Sequence, residues 1–460
     1  MKIKFLGAIG TVTGSKYEVE HDGLNVLIDC GLYQGAREYR EMNRTPLENV
    51  YKYNCVILTH AHVDHSGYLP CLSRYGFRNP IYSTHATYAL CKILLIDAAK
   101  LQEEDAKFAD KTRHSKHFPA EPLYTEDDAI EVLTHFRPHN YSEWIKLSDN
   151  FSFRFIRNGH ILGSACVQIQ YIEKNKEKKI LTFTGDLGGG RSQVIKSPDY
   201  IEKTDYLVSE STYGDRRLKE LTEDDLATLI EKVFNRQGTL IIPAFSVGRT
   251  QEILFILKKL QEQKKISTQI PIYLDSPMAL KASVVYTQFP QELKLTSLEP
   301  MPEKFFHPIN FRICEKTDES MLLCMSDQPK IVISASGMLQ GGRVMHHLKT
   351  KLPHSKNAVL FTGYQGKGTK GLLLKGGLPK IRIHHQEIDV EAEIVTLDSL
   401  SAHADSDELI SWYKKITTPI KKIFLTHGET QALEALKYRI THELNYPCDI
   451  PELNSEYDLL

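Results

Sequence analysis

The chain has little of what marks a disulfide-stapled, membrane-spanning or strongly charged protein. Its eight cysteines, Cys30, Cys55, Cys71, Cys91, Cys166, Cys314, Cys324 and Cys448, form no Cys-x-x-Cys pair. Most stand inside apolar runs. In a chain this long that argues against a disulfide framework and for buried free thiols in a reducing compartment. No apolar run is long enough to span a bilayer, so no membrane partner is expected. The opening "MKIKFLGAIGTV" has lysines interrupting its apolar patch. That reads as a first strand rather than a signal peptide, and a cytoplasmic location is the expectation. An excess of either charge is also missing: 57 Lys and Arg face 58 Asp and Glu, a formal net charge of −1. No basic balance advertises a nucleic-acid partner, although a local basic cleft and bound metal can attract phosphate without one. Low-complexity linkers and fixed-period repeats are absent too.

What is present is a set of strand ends. At 460 residues the chain can hold two domains and a sizeable core. "NVLIDCG" ends an apolar run at Asp29, "CVILTHAHVDH" at His60, "ILTFTGDLG" at Asp186, "DYLVSEST" at Glu210 and "KKIFLTHGE" at His427. Five β-type runs thus each finish on a metal- or proton-competent side chain. His160, in "RNGHILGSACVQIQ", lies just before such a run. Helices are expected over 84–118 and near 222–235, 247–264, 406–416 and 430–443. "EKNKEKK", 173–179, reads as an exposed hairpin loop. Short apolar strands between helices predict a layered α/β architecture with a site along one rim.

A second region behaves differently. "GTLIIPAFSVGRTQEILFIL" and "KIVISASGMLQGGRVMHHL" each read as strand, small-residue loop, helix, the βα unit of a doubly wound sheet. "QIPIYLDSPMA" and "NAVLFTGYQGKGT" fit further strands. This region lies between Asp186 and His403, so a second α/β domain is expected to be inserted into the first.

The densest signal is "HAHVDH", which supplies His60, His62, Asp64 and His65. Zinc and similar metals take imidazole nitrogen and carboxylate oxygen at about 2.0–2.2 Å. In extended chain His60 and His62 point to one side and can share an ion. Asp64 and His65 follow as the chain turns, toward a second ion. Four competing polar groups at the end of a buried strand have little reason to sit together unless something pairs them. His160, Asp186 and His427 add three groups, and Asp186 can bridge through its two oxygens. Asp29 either orients a ligand or caps the "DCG" turn. A lone histidine at a strand end is most often structural, so the cluster carries the reading.

"HAHVDH", "NGHILGSA", "FTGD" and "LTHGE" together resemble the metallo-β-lactamase fold. "SESTYGDR" and "LSAHAD" narrow the resemblance to its β-CASP nucleases, and "PAFSVGRTQE", "LDSPMA", "ASGMLQGGR" and "GYQGKGT" extend it over about residues 3–430. It is strongest to bacterial and archaeal β-CASP ribonucleases, which are related to the endonuclease subunit of the eukaryotic pre-mRNA 3′-end cleavage factor. The resemblance implies an αββα sandwich with an inserted α/β β-CASP domain whose sheet is mostly parallel. The expected boundaries are 1–209, 210–395 and 396–460. It implies two zinc ions per chain, replaceable by manganese. One is expected on His60, His62, His160 and Asp186, the other on Asp64, His65, Asp186 and His427. Glu210 and His403 match two further family motifs and, with Asp64 and Asp186, are the expected catalytic residues. The family's DNA-processing branch has valine where this chain has His427, which favours RNA. No stretch resembles the added RNA-binding modules of some relatives, so target selection is not legible.

The expected reaction is hydrolysis of single-stranded RNA, mainly internal, leaving 5′-phosphate and 3′-hydroxyl ends. His403, oriented by Glu210, would protonate the leaving oxygen. His384 and His385 in "RIHHQEI" are the rival for that role; as neighbours on a strand they would face opposite ways, and they read as structural or RNA-adjacent. Arg249 and Arg343, each at a helix start after small residues, are candidate phosphate contacts, as is Lys367 in "YQGKGTKG". "RHSKH", 113–117, reads as a solvated helix end. The alternatives are a small-molecule metallohydrolase acting on thioesters or lactams, a DNA-directed β-CASP nuclease, and an inactive metal-bound scaffold. A homodimer is a candidate assembly.

Overall fold

The computed structural model describes residues 1–112, 119–218, 222–294, 305–397 and 400–459. The "RHSKH" stretch therefore lies outside the described residues. The chain forms two compact units. The first comprises 1–190, 197–217 and 403–460; the second comprises 191–196 and 218–402. The chain thus leaves the first unit at 217 and returns at 403, later than the expected 209 and 395. The reason is local. Ser211 N donates to His427 O at 3.2 Å, and Tyr213 forms an isolated bridge with Asp405, so 210–217 stays with the first unit. Residues 191–196 join the second unit because Ser192 Oγ and Gln193 N both donate to the buried Glu252 carboxylate.

The first unit holds two seven-stranded sheets. One runs in the order Glu456–Asp458, Lys2–Phe5, Tyr17–His21, Leu24–Ile28, Cys55–Ile57, Ile81–Thr84, Phe136–His139. The other runs Cys448–Asp449, Lys422–Leu425, Tyr206–Ser209, Lys178–Phe183, Ala165–Ile172, Phe151–Arg157, Ile145–Ser148. Alternation sets the inner faces. Ile3, Phe5, Val26, Ile28 and Ile57 of one sheet pack with Phe153, Phe155, Val167, Ile169, Phe183 and Phe424 of the other. Fully burying each such side chain contributes about 1.5–3 kcal/mol. Odd and even positions divide the labour along a single strand: Phe155 enters the inter-sheet core, while Ile156 packs with Leu409, Tyr413 and Leu433 of the outer helices. Helices Leu69–Arg74, His85–Thr112 and Glu126–Leu133 cover the far side of the first sheet, completing the αββα order. All eight cysteines are buried and free.

The second unit has a six-stranded sheet in the order Phe311–Ile313, Ile272–Asp275, Lys330–Ser334, Thr239–Pro243, Ala358–Phe361, Glu393–Thr396. Every pairing in it is parallel. Its central strands are apolar on both faces, as helix-covered parallel strands must be. Lys380–Ile383 and Gln386–Asp389 form a separate antiparallel hairpin. His384 and His385 are its two turn residues, both with left-handed backbone at φ +45° and +63°. They do not face opposite ways on a strand, because the strand ends at Ile383.

Candidate metal centre

The site is built where parallel strands of the first unit end. Leu24–Ile28 and Cys55–Ile57 run side by side, which brings Asp29 to the loop carrying His60 and His62. The chain then winds into the short helix Val63–Ser66, presenting Asp64 and His65. That helix sits hard against the loop after Asp29: a β carbon on Gly31 would fall 1.5 Å from Asp64 O. Lys178–Phe183, Tyr206–Ser209 and Lys422–Leu425 are also mutually parallel, so Asp186, Glu210 and His427 emerge together. His427 has a left-handed backbone, φ +49°, with its N–H bonded to Ala8 O at 2.8 Å. A non-glycine residue held so costs about 1–3 kcal/mol, and such strain gathers at functional positions. His160 comes from the loop before Ala165–Ile172, with its N–H bonded to Ser164 Oγ at 3.1 Å.

Seven side chains converge into two groups. In the first, His62 Nδ1 lies 3.2 Å from His60 Nε2 and 3.1 Å from His160 Nε2. Asp186 Oδ2 is 3.5 Å from both His60 Nε2 and His160 Nε2. In the second, His65 Nε2 is 3.4 Å from His427 Nε2 and 3.1 Å from Asp186 Oδ1, while Asp64 Oδ2 is 3.4 Å from His427 Nε2. Four ligand atoms placed tetrahedrally about a cation at about 2.0–2.2 Å stand roughly 3.3–3.6 Å apart, close to the 3.1–3.5 Å found in both groups. Asp186 gives one oxygen to each. The residues fit a metal on chemical grounds as well. One nitrogen, His62 Nδ1, cannot hydrogen-bond two other imidazole nitrogens with a single proton. A buried cluster of such lone pairs requires a cation. Each group could hold an ion.

The orientation of the imidazoles follows from their outer partners. Asp29 Oδ2 accepts from His65 Nδ1 at 2.7 Å and from Thr59 Oγ1 at 2.8 Å, and Asp29 Oδ1 accepts from Thr59 N at 2.7 Å. With its proton committed to Asp29, the Thr59 hydroxyl accepts from His60 Nδ1 at 3.1 Å. Asp29 therefore turns the Nε2 lone pairs of His65 and His60 inward, one directly and one through Thr59. Thr212 Oγ1 lies 3.2 Å from His427 Nδ1.

Next to this cluster stands a dyad. His403 Nδ1 is 3.1 and 3.0 Å from the two Glu210 oxygens, and His403 Nε2 points toward Asp186 Oδ2 at 4.0 Å. Glu210 also accepts from Leu187 N and Thr212 N. Gly188 bridges to His403, and a β carbon on Gly188 would meet Gly159 O at 2.0 Å, so glycine there lets the loop after Asp186 close on His403.

The electrostatics separate the histidines. Burial, then neighbouring imidazoles, hold His60 and His160 well below the usual imidazole range, and burial lowers His62. For His65, burial is outweighed by Asp186 and Asp29, which hold it well above that range. For His403, burial is opposed by Glu210 and Asp186, which bring it up to about 9. The imidazoles around Asp186 overcome its burial and hold its carboxyl well below the carboxylate range. Asp64 is lowered against burial by its hydrogen bond to His427.

The second unit places the remaining candidates. Arg249 opens helix Arg249–Glu262 after Gly248, at φ +83°, and Lys367 is exposed in the loop 362–369. Arg343 is committed elsewhere. Its guanidinium bonds Asp275 Oδ1 at 2.8 Å, Cys314 O at 2.9 Å and Glu315 O at 2.7 Å, so it is a structural clamp and not a free phosphate fork. Sequence reasoning missed Thr59, Thr212 and Ser164. The threonine before His60 was visible in "LTH", but its link to Asp29 was not.

Three family models match: a metallo-β-lactamase superfamily domain over 18–185, a β-CASP domain over 250–374 and a Zn-dependent metallo-hydrolase RNA specificity domain over 387–451. The chain belongs to the β-CASP family of metallo-β-lactamase-fold proteins and carries a site for a metal cofactor. It is 36% identical to Ribonuclease TTHA0252 of Thermus thermophilus, covering 95% of each chain. It is 32% identical to an RNase J-like protein of Methanocaldococcus jannaschii, covering 98% of this chain and 97% of that one. Transcription termination factor FttA of the same organism is 29% identical over 93% of this chain and 67% of its own. A solved structure of a protein of unknown function from Enterococcus faecalis aligns over 100% of this chain and 99% of that chain at TM-score 0.52 and 15% identity, a likeness of fold.

Proposed function

We propose that this protein is a ribonuclease that hydrolyses phosphodiester bonds within single-stranded RNA and leaves 5′-phosphate and 3′-hydroxyl ends. The observation that carries it is the His403–Glu210 dyad set beside the shared carboxylate of Asp186. A small-molecule hydrolase of this fold needs the metal ligands alone, whereas a poor leaving group such as a ribose oxygen needs a positioned proton donor. The names of the relatives, a ribonuclease and an RNase J-like protein, favour RNA.

The cofactor in this reading is two zinc ions, one on His60, His62, His160 and Asp186 and one on Asp64, His65, Asp186 and His427. Bound there, they supply water ionised near neutral pH and positive charge for the attacked phosphate. The chain's own residues do the rest. Asp29, through His65 and Thr59, holds the Nδ1 sides of His65 and His60 outward and so aims their Nε2 atoms into the site. Glu210 holds the His403 Nδ1 proton, so the second imidazole proton sits on Nε2, facing the reacting groups. His403 delivers that proton to the departing 3′ oxygen. Arg249 and Lys367 contact phosphates of the bound strand.

The test is cleavage of labelled single-stranded RNA, the matching DNA and a chromogenic ester, each with and without chelator, followed by sequencing of the RNA ends. RNA is expected to be cut, and the chelator to stop it. His403→Ala is expected to keep the wild-type metal content while turnover falls about 10²–10⁴-fold. Asp186→Ala is expected to lose metal too. Wild-type cleavage by His403→Ala would remove His403 from the acid role, and hydrolysis of the ester but not RNA would overturn the reading.

A further inference from the structure

The second unit carries a cluster of basic side chains that the metal centre does not use. It is organised by the hairpin Lys380–Ile383/Gln386–Asp389, whose two-residue turn is His384–His385. A turn with positive φ at both positions strongly favours Asn-Gly or Asp-Gly, because a β carbon is strained there. This turn instead presents two exposed imidazoles at φ +45° and +63°, and backbone strain of that kind concentrates at functional positions. The His384 ring lies 4.6 Å from the ring of His346, centroid to centroid, on helix Val344–Lys351. Burial and the like charges of His346, Lys349, Lys370 and His385 together hold His384 below the usual imidazole range.

Three elements thus carry the five basic groups: His346 and Lys349 lie on one helix, Lys370 opens helix Lys370–Lys375, and His384 and His385 form the turn, where the other four all act electrostatically on His384. The hairpin's carboxylates, Glu387 and Asp389, both pair with Lys380, at 3.4 and 3.3 Å, and Glu387 stands opposite Arg382 in register. Neither Lys349 nor Lys370 forms an ion pair with a carboxylate among the described residues. An anion that occupies the cluster is attracted by the two lysine ammonium groups. Exposed imidazoles beside lysines suit single-stranded RNA in particular, because the rings stack on bases while the ammonium groups meet the backbone.

We propose that His346, Lys349, Lys370, His384 and His385 form an RNA-binding patch, contacting phosphates and bases of the strand with residues separate from the metal ligands. This rests on the ribonuclease reading above. Leu372 and Leu373 are half-exposed on the helix that begins at Lys370, so an anionic lipid surface is the rival occupant.

The experiment uses the full-length, metal-loaded chain. Two sets of substitutions are made, Lys349→Gln with Lys370→Gln, and His384→Asn with His385→Gly. The second set supplies the residues the turn prefers, so thermal midpoints are expected to hold or rise, which separates lost binding from lost folding. Affinity for a fluorescent single-stranded RNA is measured against salt in a His403→Ala background, which spares the RNA. The combined variant is expected to bind about tenfold more weakly, and the lysine pair to reduce the salt slope by about 1.4. With His403 intact, hydrolysis of bis(p-nitrophenyl) phosphate is expected to be unchanged. Unaltered affinity and slope would overturn the patch, as would lost binding to phosphatidylglycerol vesicles with RNA affinity intact. If the wild type cleaves RNA and the patch variants bind it normally, only the patch fails; if the wild type does not cleave RNA, the ribonuclease reading fails.

Discussion

Asp29 holds three donors with two oxygens, and through them it sets two imidazoles. An Asp29→Asn chain keeps the volume but has one acceptor and an NH2 that cannot receive from His65. Metal affinity is expected to fall about 10–100-fold, read by competition with a chelating dye; a titration identical to wild type would mean the loop backbone alone aims His65 and His60. Lys16 makes a second case at this scale. It is buried, its Nζ donates to Gly31 O at 2.5 Å and lies 4.8 and 4.9 Å from the centres of the Tyr33 and Tyr68 rings. Burial pulls its ammonium down from 10.5 to about 8. The unfolded chain keeps that proton up to about 10.5 while the folded chain releases it near 8. The unfolded state therefore binds more protons in between, and stability rises with pH across that window. Below pH 8 the burden is about 3 kcal/mol. Lys16→Met is expected to raise the denaturant midpoint at pH 7, with the gain gone by pH 10.5. An equal gain at both pH values would show that packing and not charge is responsible.

Strand ends decide much at the scale of elements. Asp275 closes the strand Ile272–Asp275 and accepts from His347, Ser320 and Arg343 while fully buried. Asp275→Ala would leave Arg343 without its counter-charge and the buried His347 without its hydrogen-bond partner, and removing one partner of a buried pair costs about 3–5 kcal/mol. Denaturant unfolding followed by circular dichroism should register that loss. A change under 1 kcal/mol would mean that solvent, which already reaches the 22% exposed Arg343 side chain, replaces the carboxylate. The same cluster explains one misreading. "GMLQGGR" correctly announced a strand–loop–helix unit, but the arginine's partner lies 68 residues upstream, beyond any local pattern. "RIHHQEI" misled in the opposite direction, because alternation across two histidines cannot be told from two strands meeting at a turn that usually needs glycine.

For the whole molecule, the first unit is assembled from three separate segments of chain, 1–190, 197–217 and 403–460. Its site joins residues as far apart as Asp64 and His427, 363 positions in sequence. Composition, the spacing within "HAHVDH" and the run of apolar strands ending on polar side chains determined the layered α/β class, the interruption by a second α/β region and the identity of the converging groups. These are legible because strand periodicity and metal-ligand spacing are local in the chain. Only the tertiary structure decided that Asp186 divides its two oxygens between two groups, that Asp29 reaches His60 through Thr59, that 210–217 stays with the first unit, and that Arg343 is a clamp. Each depends on which strand ends lie side by side, and that is fixed by packing two sheets around one core rather than by any neighbouring residue.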